Sequence, residues 1–358
     1  MFYLPSKKEC DFIVKNSNQF FCKKIDDIYI YHYKQASFEE FEKFKAYELR
    51  GLTFVNEKRF LALHKFFELD QAPKWRKEDL KDKKIIKVQE KIDGTFLHPV
   101  IINEKIYFKT KLGFDTYQTK RAQYLFENNK NLKEFVINTF KEGKIPLFEY
   151  VSSKTQIVMD YKEEKLFLTQ IRDLKTGEYD LSFEEKAKKY NLPFPKVFDV
   201  KNLDELLALA KENKDTEGWI AIFENMQFVK VKTDFYLTNH KLVGDLKENT
   251  IIQAIFDKKI DNIFNILNKN SDRYLFVKEV YCKFTNKYNL LENELLKIIN
   301  SFRGTKKEFK EKFFSHPFYP LLSEAYKKRN KINPKEVIKE WVKNNTTKLK
   351  NAKRFLEL

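Results

Sequence analysis

A chain of 358 residues can bury a substantial core, and two domains are the natural expectation. Its 69 Lys and Arg outnumber 52 Asp and Glu, and the net charge of +17 points to a polyanionic partner, nucleic acid first, because clustered cations release counterions from a phosphate backbone. Scattered Cys10, Cys22 and Cys282 and dispersed His32, His64, His98, His240 and His316 exclude a disulfide framework and a zinc-ligand spacing, and no apolar run is long enough to span a bilayer.

The opening segment, MFYLPSKKECDF, lacks the apolar core of a signal peptide, so a soluble, cytoplasmic protein without membrane association is expected. The role of residues 1–44 stays open; they could simply cover the domain that follows. Short β-branched and aromatic runs punctuated by Gly, Pro or Asn predict strands at 52–55, 85–90, 95–102, 105–110, 146–151, 166–172, 219–223 and 227–232. Helical stretches at 116–128 and 203–213 connect some of them. The pattern predicts an α+β domain over residues 1–240, built on mainly antiparallel sheets.

Strand character ends near residues 237–245. Apolar residues then recur at helical spacing in 249–267, 272–299, 304–314 and 334–355, which predicts a small all-helical C-terminal domain over 241–358. That stretch holds 26 Lys and Arg against 14 Asp and Glu, so most of the basic surplus lies there.

The sharpest chemical feature is Lys91-Ile92-Asp93-Gly94, just after the strand-like Ile85–Gln89. A lysine leaving a strand into a glycine-containing turn can present its amine in a pocket. Downstream come Phe148-Glu149-Tyr150, then Glu217-Gly218-Trp219-Ile220, then Lys230-Val231-Lys232. Lys230 and Lys232 alternate along a strand and so share one face, where they can stabilise charge developing on phosphate oxygens.

In order and spacing these residues resemble motifs I, III, IV and V of the covalent nucleotidyltransferase superfamily of ATP-dependent ligases and capping enzymes: KxDG, a Phe-Glu pair, EGxV and KxK. Arg50-Gly51, Lys65-Phe66-Phe67 and the extended FEYVSSKTQIV at 148–158 narrow the likeness to the ATP-dependent RNA ligases of the T-even phage tRNA-repair type, over roughly residues 45–240. The resemblance implies an ATP-grasp-like ligase domain with Lys91 as the residue that carries AMP. Lys230, Lys232 and Glu217 would be its catalytic partners, and Glu217 would hold Mg2+ through water. Arg50, Lys65 and Lys111 would bind phosphates, Phe67 would pack near the nucleotide, Gly94 would shape the turn, and Glu149 would accept from the ribose hydroxyls. Tyr236 resembles an aromatic at the corresponding place and would contact substrate or close the core. Lys109 competes with Lys111 for its role, being two residues earlier on the same strand face.

ATP and Mg2+ are the implied cofactors. The implied partner is RNA, a tRNA or another structured RNA with a break, handled by a monomer. Phosphoryl transfer to nitrogen needs a neutral amine, so a lowered Lys91 pKa is expected, with a metal, Lys230 and Lys232 as its cause. DNA ligases and GTP-using capping enzymes usually carry arginine two residues after the motif I glycine and an OB-fold after motif V; Phe96 and helices stand there instead. A catalytically inactive RNA-binding relative would lack motif residues, and none is missing. No GxxxxGK[ST] loop occurs, so a separate kinase and phosphatase are expected to heal the ends.

Overall fold

The computed structural model describes residues 2–357. It separates into two compact units, one ending at His240 and the other starting at Lys241.

The first unit holds thirteen strands. The first four are β1 (Phe20–Ile25), β2 (Ile28–Tyr33), β3 (Leu52–Val55) and β4 (Lys58–Phe60). They are followed by β5 (Phe67–Glu68), β6 (Ile85–Glu90), β7 (Thr95–Ile102) and β8 (Lys105–Lys109). The last five are β9 (Lys144–Val151), β10 (Lys165–Asp173), β11 (Val197–Phe198), β12 (Gly218–Phe223) and β13 (Phe228–Lys232).

These strands form three sheets, in the orders β1-β2-β3-β4, β10-β9-β7-β8 and β11-β6-β12-β13-β5. All pairings are antiparallel except β13 with β5. Local chemistry sets the tight turns. Asn103 and Glu104 both adopt positive φ, +47° and +63°, and connect Ile102 to its direct partner Lys105, the geometry whose twist matches a two-residue hairpin.

Two cores follow from this arrangement. The larger joins the first and third sheets and includes Phe41, Phe54, Phe60, Val88, Trp219 and Val231. The smaller packs β7, β9 and β10 against the helices Tyr117–Asn128, Lys130–Lys141 and Phe183–Lys189. Lys130–Lys141 shows why such segments are helical. Asn129 caps it by accepting from the Leu132 N–H at 3.0 Å, and Leu132, Phe135, Val136 and Thr139 place its buried residues on one stripe.

Residues 2–44 do more than cover the domain. They supply β1 and β2, half of the first sheet, as well as the helices Lys7–Asn16 and Phe38–Phe44. Polar residues between their apolar ones obscure the strands: β1 reads FFCKKI, with two exposed lysines.

The second unit is helical. Its longest element, Asp272–Ser301, buries Val277, Val280, Phe284, Leu291, Leu295 and Ile299. The expected helix over 249–267 is two, Glu248–Phe256 and Ile260–Ile266, broken where Lys258 takes a left-handed φ of +57°. The stretch 334–355 also divides, into Pro334–Asn345 and Leu349–Glu357, and Tyr319–Lys328 adds a helix that apolar spacing did not predict. Among the described residues, no helix is long and apolar enough to cross a membrane.

One buried ion pair fixes the loop that carries Arg50. Arg172 on β10 is fully buried, and its two terminal nitrogens donate to both oxygens of Glu48 at 2.8 Å. The remaining guanidinium donors reach the Ala62 carbonyl at 2.6 Å and the Gly177 carbonyl at 3.0 and 2.9 Å. Removing one partner would strand a buried charge. Arg172→Met is therefore expected to destabilise the protein by about 3–5 kcal/mol, read as a lowered urea midpoint at unchanged m-value.

Candidate active site

Lys91 follows β6 directly. Its backbone N–H donates to the Gly218 carbonyl at 2.8 Å, which carries the β6–β12 pairing one residue beyond the strand. The chain then turns away, and Asp93 sets the turn. Its buried carboxylate accepts from the Val158 and Met159 N–H groups and from the Tyr236 hydroxyl, each at 2.9 Å. Its own N–H donates to the Tyr161 hydroxyl at 3.0 Å.

Two glycines are required by close approach. A Cβ on Gly94 would lie 2.4 Å from the Tyr150 carbonyl oxygen. Gly218 has a φ of +147°, and a Cβ there would meet the Val231 carbonyl oxygen at 2.1 Å. The KxDG turn and the start of β12 are thus pressed against neighbouring backbone, with Lys91 between them.

The Lys91 Nζ lies 2.7 Å from Glu217 Oε2. Burial alone would disfavour its charge, but Glu217, Glu149 and Asp93 outweigh burial and raise its pKa. The expected lowering invoked a metal together with Lys230 and Lys232; among the protein's own side chains, the carboxylates outweigh the lysines. The sequence places Lys230 and Lys232 near Lys91, but it does not reveal that a carboxylate stands closer. On the other side of the pair, burial pushes the Glu217 carboxyl up, against the attraction of Lys91.

A cleft of about 330 Å³ opens beside this pair. Arg50, Lys91, Gly94, Lys111, Glu149 and Lys230 all line it, together with apolar Leu63, Phe66, Phe96 and Ile220 and polar Gln89 and Thr169. A larger cleft of about 750 Å³, walled by Ile101, Tyr107, Phe126 and Phe140, includes none of the motif residues.

Burial raises Glu149 to about 7, and burial followed by the charge of Arg50 lowers Lys111 and Lys65 to about 8. Lys230 falls well below its ordinary value from burial first and then from Arg50 and Lys91. Its Nζ donates to the Phe66 carbonyl at 3.2 Å. Arg50 sits 5.7 Å from the Phe96 ring, and its buried Nη1 has no hydrogen-bond partner.

Five expected residues stand beside the cleft rather than on its wall: Glu217, against Lys91, together with Lys232, Lys65, Tyr236 and Phe67. Lys232 is paired with Glu68 at 2.5 Å, Lys65 lies 4.0 Å over the Phe67 ring, and Tyr236 is spent on Asp93. Phe67 itself requires a correction. It is buried in an aromatic cluster with Phe38, Phe41 and Trp75, and Phe66, just before β5, is the neighbour that lines the cleft. Gln89, Thr169 and Tyr161 carried no sequence signal; only the Lys91 motif beside Gln89 marked that strand's end.

A lysine delivered by the end of an interior strand and a tight glycine turn, facing a buried carboxylate beside a cationic cleft, is the arrangement of covalent nucleotidyltransferases. The RNA ligase family model of the first T4 type matches residues 48–237, more than half of the chain, and the chain belongs to that family. A protein of Thermovibrio ammonificans described as "Putative RNA ligase" is 28% identical over 340 residues, covering 86% of this chain and 88% of the relative. An RNA ligase of Naegleria gruberi solved with PPi is similar at 17% identity and a TM-score of 0.40, over 49% of this chain and 57% of that one. An Aquifex aeolicus structure described as "Putative ATP-dependent DNA ligase" gives 12% identity and a TM-score of 0.46, over 81% of each chain.

The charge state of the cleft predicts a pH dependence. Lys65 and Lys111, both lowered to about 8, are cationic below that value and neutral above it, so affinity for a tetra-anion should fall as pH rises through about 8. Binding of a non-hydrolysable ATP analogue at pH 8.5 should take up protons, measured by calorimetry in buffers of different ionisation enthalpy. Lys111→Met should reduce that uptake.

Proposed function

We propose that this RNA ligase joins a 5′-phosphate to a 3′-hydroxyl by way of an AMP carried on Lys91, and that it repairs broken tRNA. The contact between Lys91, on the wall of a cation-lined cleft, and buried Glu217 behind it carries the reading. Attack on phosphorus needs the free amine, and an ordinary lysine is almost wholly protonated at pH 7. Glu217 Oε2, 2.7 Å away and made more basic by burial, is placed to take the proton.

The Nζ lone pair then bonds to the α-phosphorus of ATP as the bond to pyrophosphate breaks. In the second step an oxygen of the RNA 5′-phosphate takes the AMP and frees the amine. In the third, a 3′-hydroxyl attacks that RNA phosphorus and AMP leaves. Arg50 and Lys111 face the phosphate oxygens of ATP and Lys230 faces the α-phosphate in each step, and the orphaned, buried Nη1 of Arg50 suits an incoming anion, because buried donors are normally paired. Glu149 accepts from the ribose hydroxyls, most strongly when ionised. Lys65 and Lys232 stand one layer out, and Lys232 must leave Glu68 to reach a phosphate.

Mg2+ fits as a hydrated ion held by Glu217 through water and by the triphosphate, since among the described residues no three His, Cys, Asp or Glu could form a protein cage. Bound there, it would supply positive charge at the phosphates and draw Glu217 from the amine.

Recognition of the broken tRNA falls to the basic helical unit. Its helix Lys306–Phe313 alone exposes Lys306, Lys307, Lys310 and Lys312, and structured RNA is read largely through shape and phosphates. A monomer working in the cytoplasm, a host's if the protein is viral, would receive ends already healed by separate enzymes.

Incubation with α-labelled ATP and Mg2+, after pyrophosphate treatment to strip any AMP already bound, should yield a labelled protein band. Lys91→Ala should abolish it, and α-labelled GTP should give none. A band that survives Lys91→Ala would sink the covalent assignment. Separately, reversing Lys306, Lys307, Lys310 and Lys312 to Glu should slow joining of broken tRNA about tenfold and flatten its salt dependence while self-adenylation proceeds as before. Equal slowing of short unstructured RNA would remove the tRNA-specific role.

A further inference from the structure

Lys109 closes β8, two residues before the cleft-lining Lys111, and it is fully buried. Its register partner across the β7–β8 ladder is His98, also fully buried. The Lys109 Nζ lies 3.2 Å from His98 Nε2 and donates to the Gly51 carbonyl at 3.3 Å. A buried lysine normally sits against a carboxylate. Here the neighbouring charge that Lys109 feels is Lys23, another cation, and burial followed by that repulsion lowers its pKa to about 7. Burial and Lys109 in turn hold His98 well below its ordinary value.

The group that this amine grips is the turn between two residues of the cleft. Gly51 follows Arg50, takes a φ of +95°, and packs so closely on Lys111 that a Cβ would stand 3.0 Å from the Lys111 Cα and 3.1 Å from its carbonyl oxygen. The Gly51 N–H donates to the Tyr31 carbonyl at 2.9 Å, and its carbonyl also accepts from the Thr53 hydroxyl at 2.9 Å. Arg50 and Lys111 therefore approach through their backbones at one point, and Lys109 ties that point to β7 from beneath.

We infer that Lys109 and His98 are positioning residues: a buried hydrogen-bonded pair that pins the Arg50–Gly51 turn against Lys111 and so fixes the spacing of the two cations that receive the ATP phosphates. A compact amine suits the place, because it donates to the Gly51 carbonyl while sharing a hydrogen bond with the His98 imidazole. Its four-carbon stem spans from β8 to the turn, which a serine or threonine could not do. The inference rests on the assignment of Arg50 and Lys111 to the ATP phosphates.

The test compares two half-reactions of the full-length protein. Lys109→Met keeps the stem and removes the hydrogen bonds. It should raise the apparent KM for ATP in self-adenylation about tenfold, because small misplacements of binding groups cost rate steeply. Sealing of chemically pre-adenylated RNA, which needs no ATP, should fall far less. Lys109→Arg should not rescue, since the wider, planar guanidinium cannot take the place of a compact amine between fully buried His98 and the Gly51 carbonyl. If Lys109→Met does not fold, His98→Gln should show the same split at about threefold.

An unchanged KM for ATP in Lys109→Met, equal loss of both half-reactions in the folded variant, or full rescue by Lys109→Arg would each overturn the inference while leaving the ligase assignment standing. Failure of the wild type to adenylate would strike that assignment instead.

Discussion

The buried carboxylate of Asp93 holds three distant stretches of chain at one point. Donors reach it from residues 158–159, from Tyr236 beyond β13, and, through its own N–H, it holds Tyr161. An ionised carboxylate has only acceptors to offer, and protein donors occupy them here, so the task of Asp93 is architectural. It stops the turn after Lys91 from swinging outward, and the tight approach of Gly94 to the Tyr150 carbonyl stops it from settling inward. The direction of the Lys91 side chain follows from these two constraints.

Around that fixed lysine the charges are unevenly matched. Lys91 and Lys232 have carboxylate partners, whereas Arg50, Lys111 and Lys230 converge on a cleft whose wall carries Glu149 as its most deeply buried acid. Burying like charges together costs stability, and several of these groups respond with lowered proton affinity. A polyanion entering the cleft would relieve that repulsion, so nucleotide binding and stability of the first unit are thermodynamically coupled. The Glu48–Arg172 pair lies behind this region and is fully satisfied, which gives the repelling cations a rigid backing.

Much of this was legible in the sequence, for identifiable reasons. Strands such as 85–90 and 95–102 were readable because their β-branched runs end at turns that announce themselves, and the four motifs marked the cleft because their order survives in one chain. β1 escaped because the strand face that meets solvent carries lysines. Phe67 was misplaced because a likeness between motifs does not specify which of two adjacent aromatics faces the cleft. The raised pKa of Lys91 was hidden because it depends on Glu217, 126 residues away, standing closer than the neighbouring lysines. Neither Tyr161 nor the buried Lys109 has a signature that a linear pattern could carry.

The pairing of Lys91 with Glu217 also bears on chemical selectivity. This chain displays 69 Lys and Arg, and exposed lysines meet acyl donors, aldehydes and other electrophiles wherever metabolites are abundant. A lysine with a raised pKa and a carboxylate against its ammonium is a poor target for such encounters, because only the free amine reacts. On the proposed assignment, the residue that carries AMP is thereby shielded from such reagents until its proton is removed.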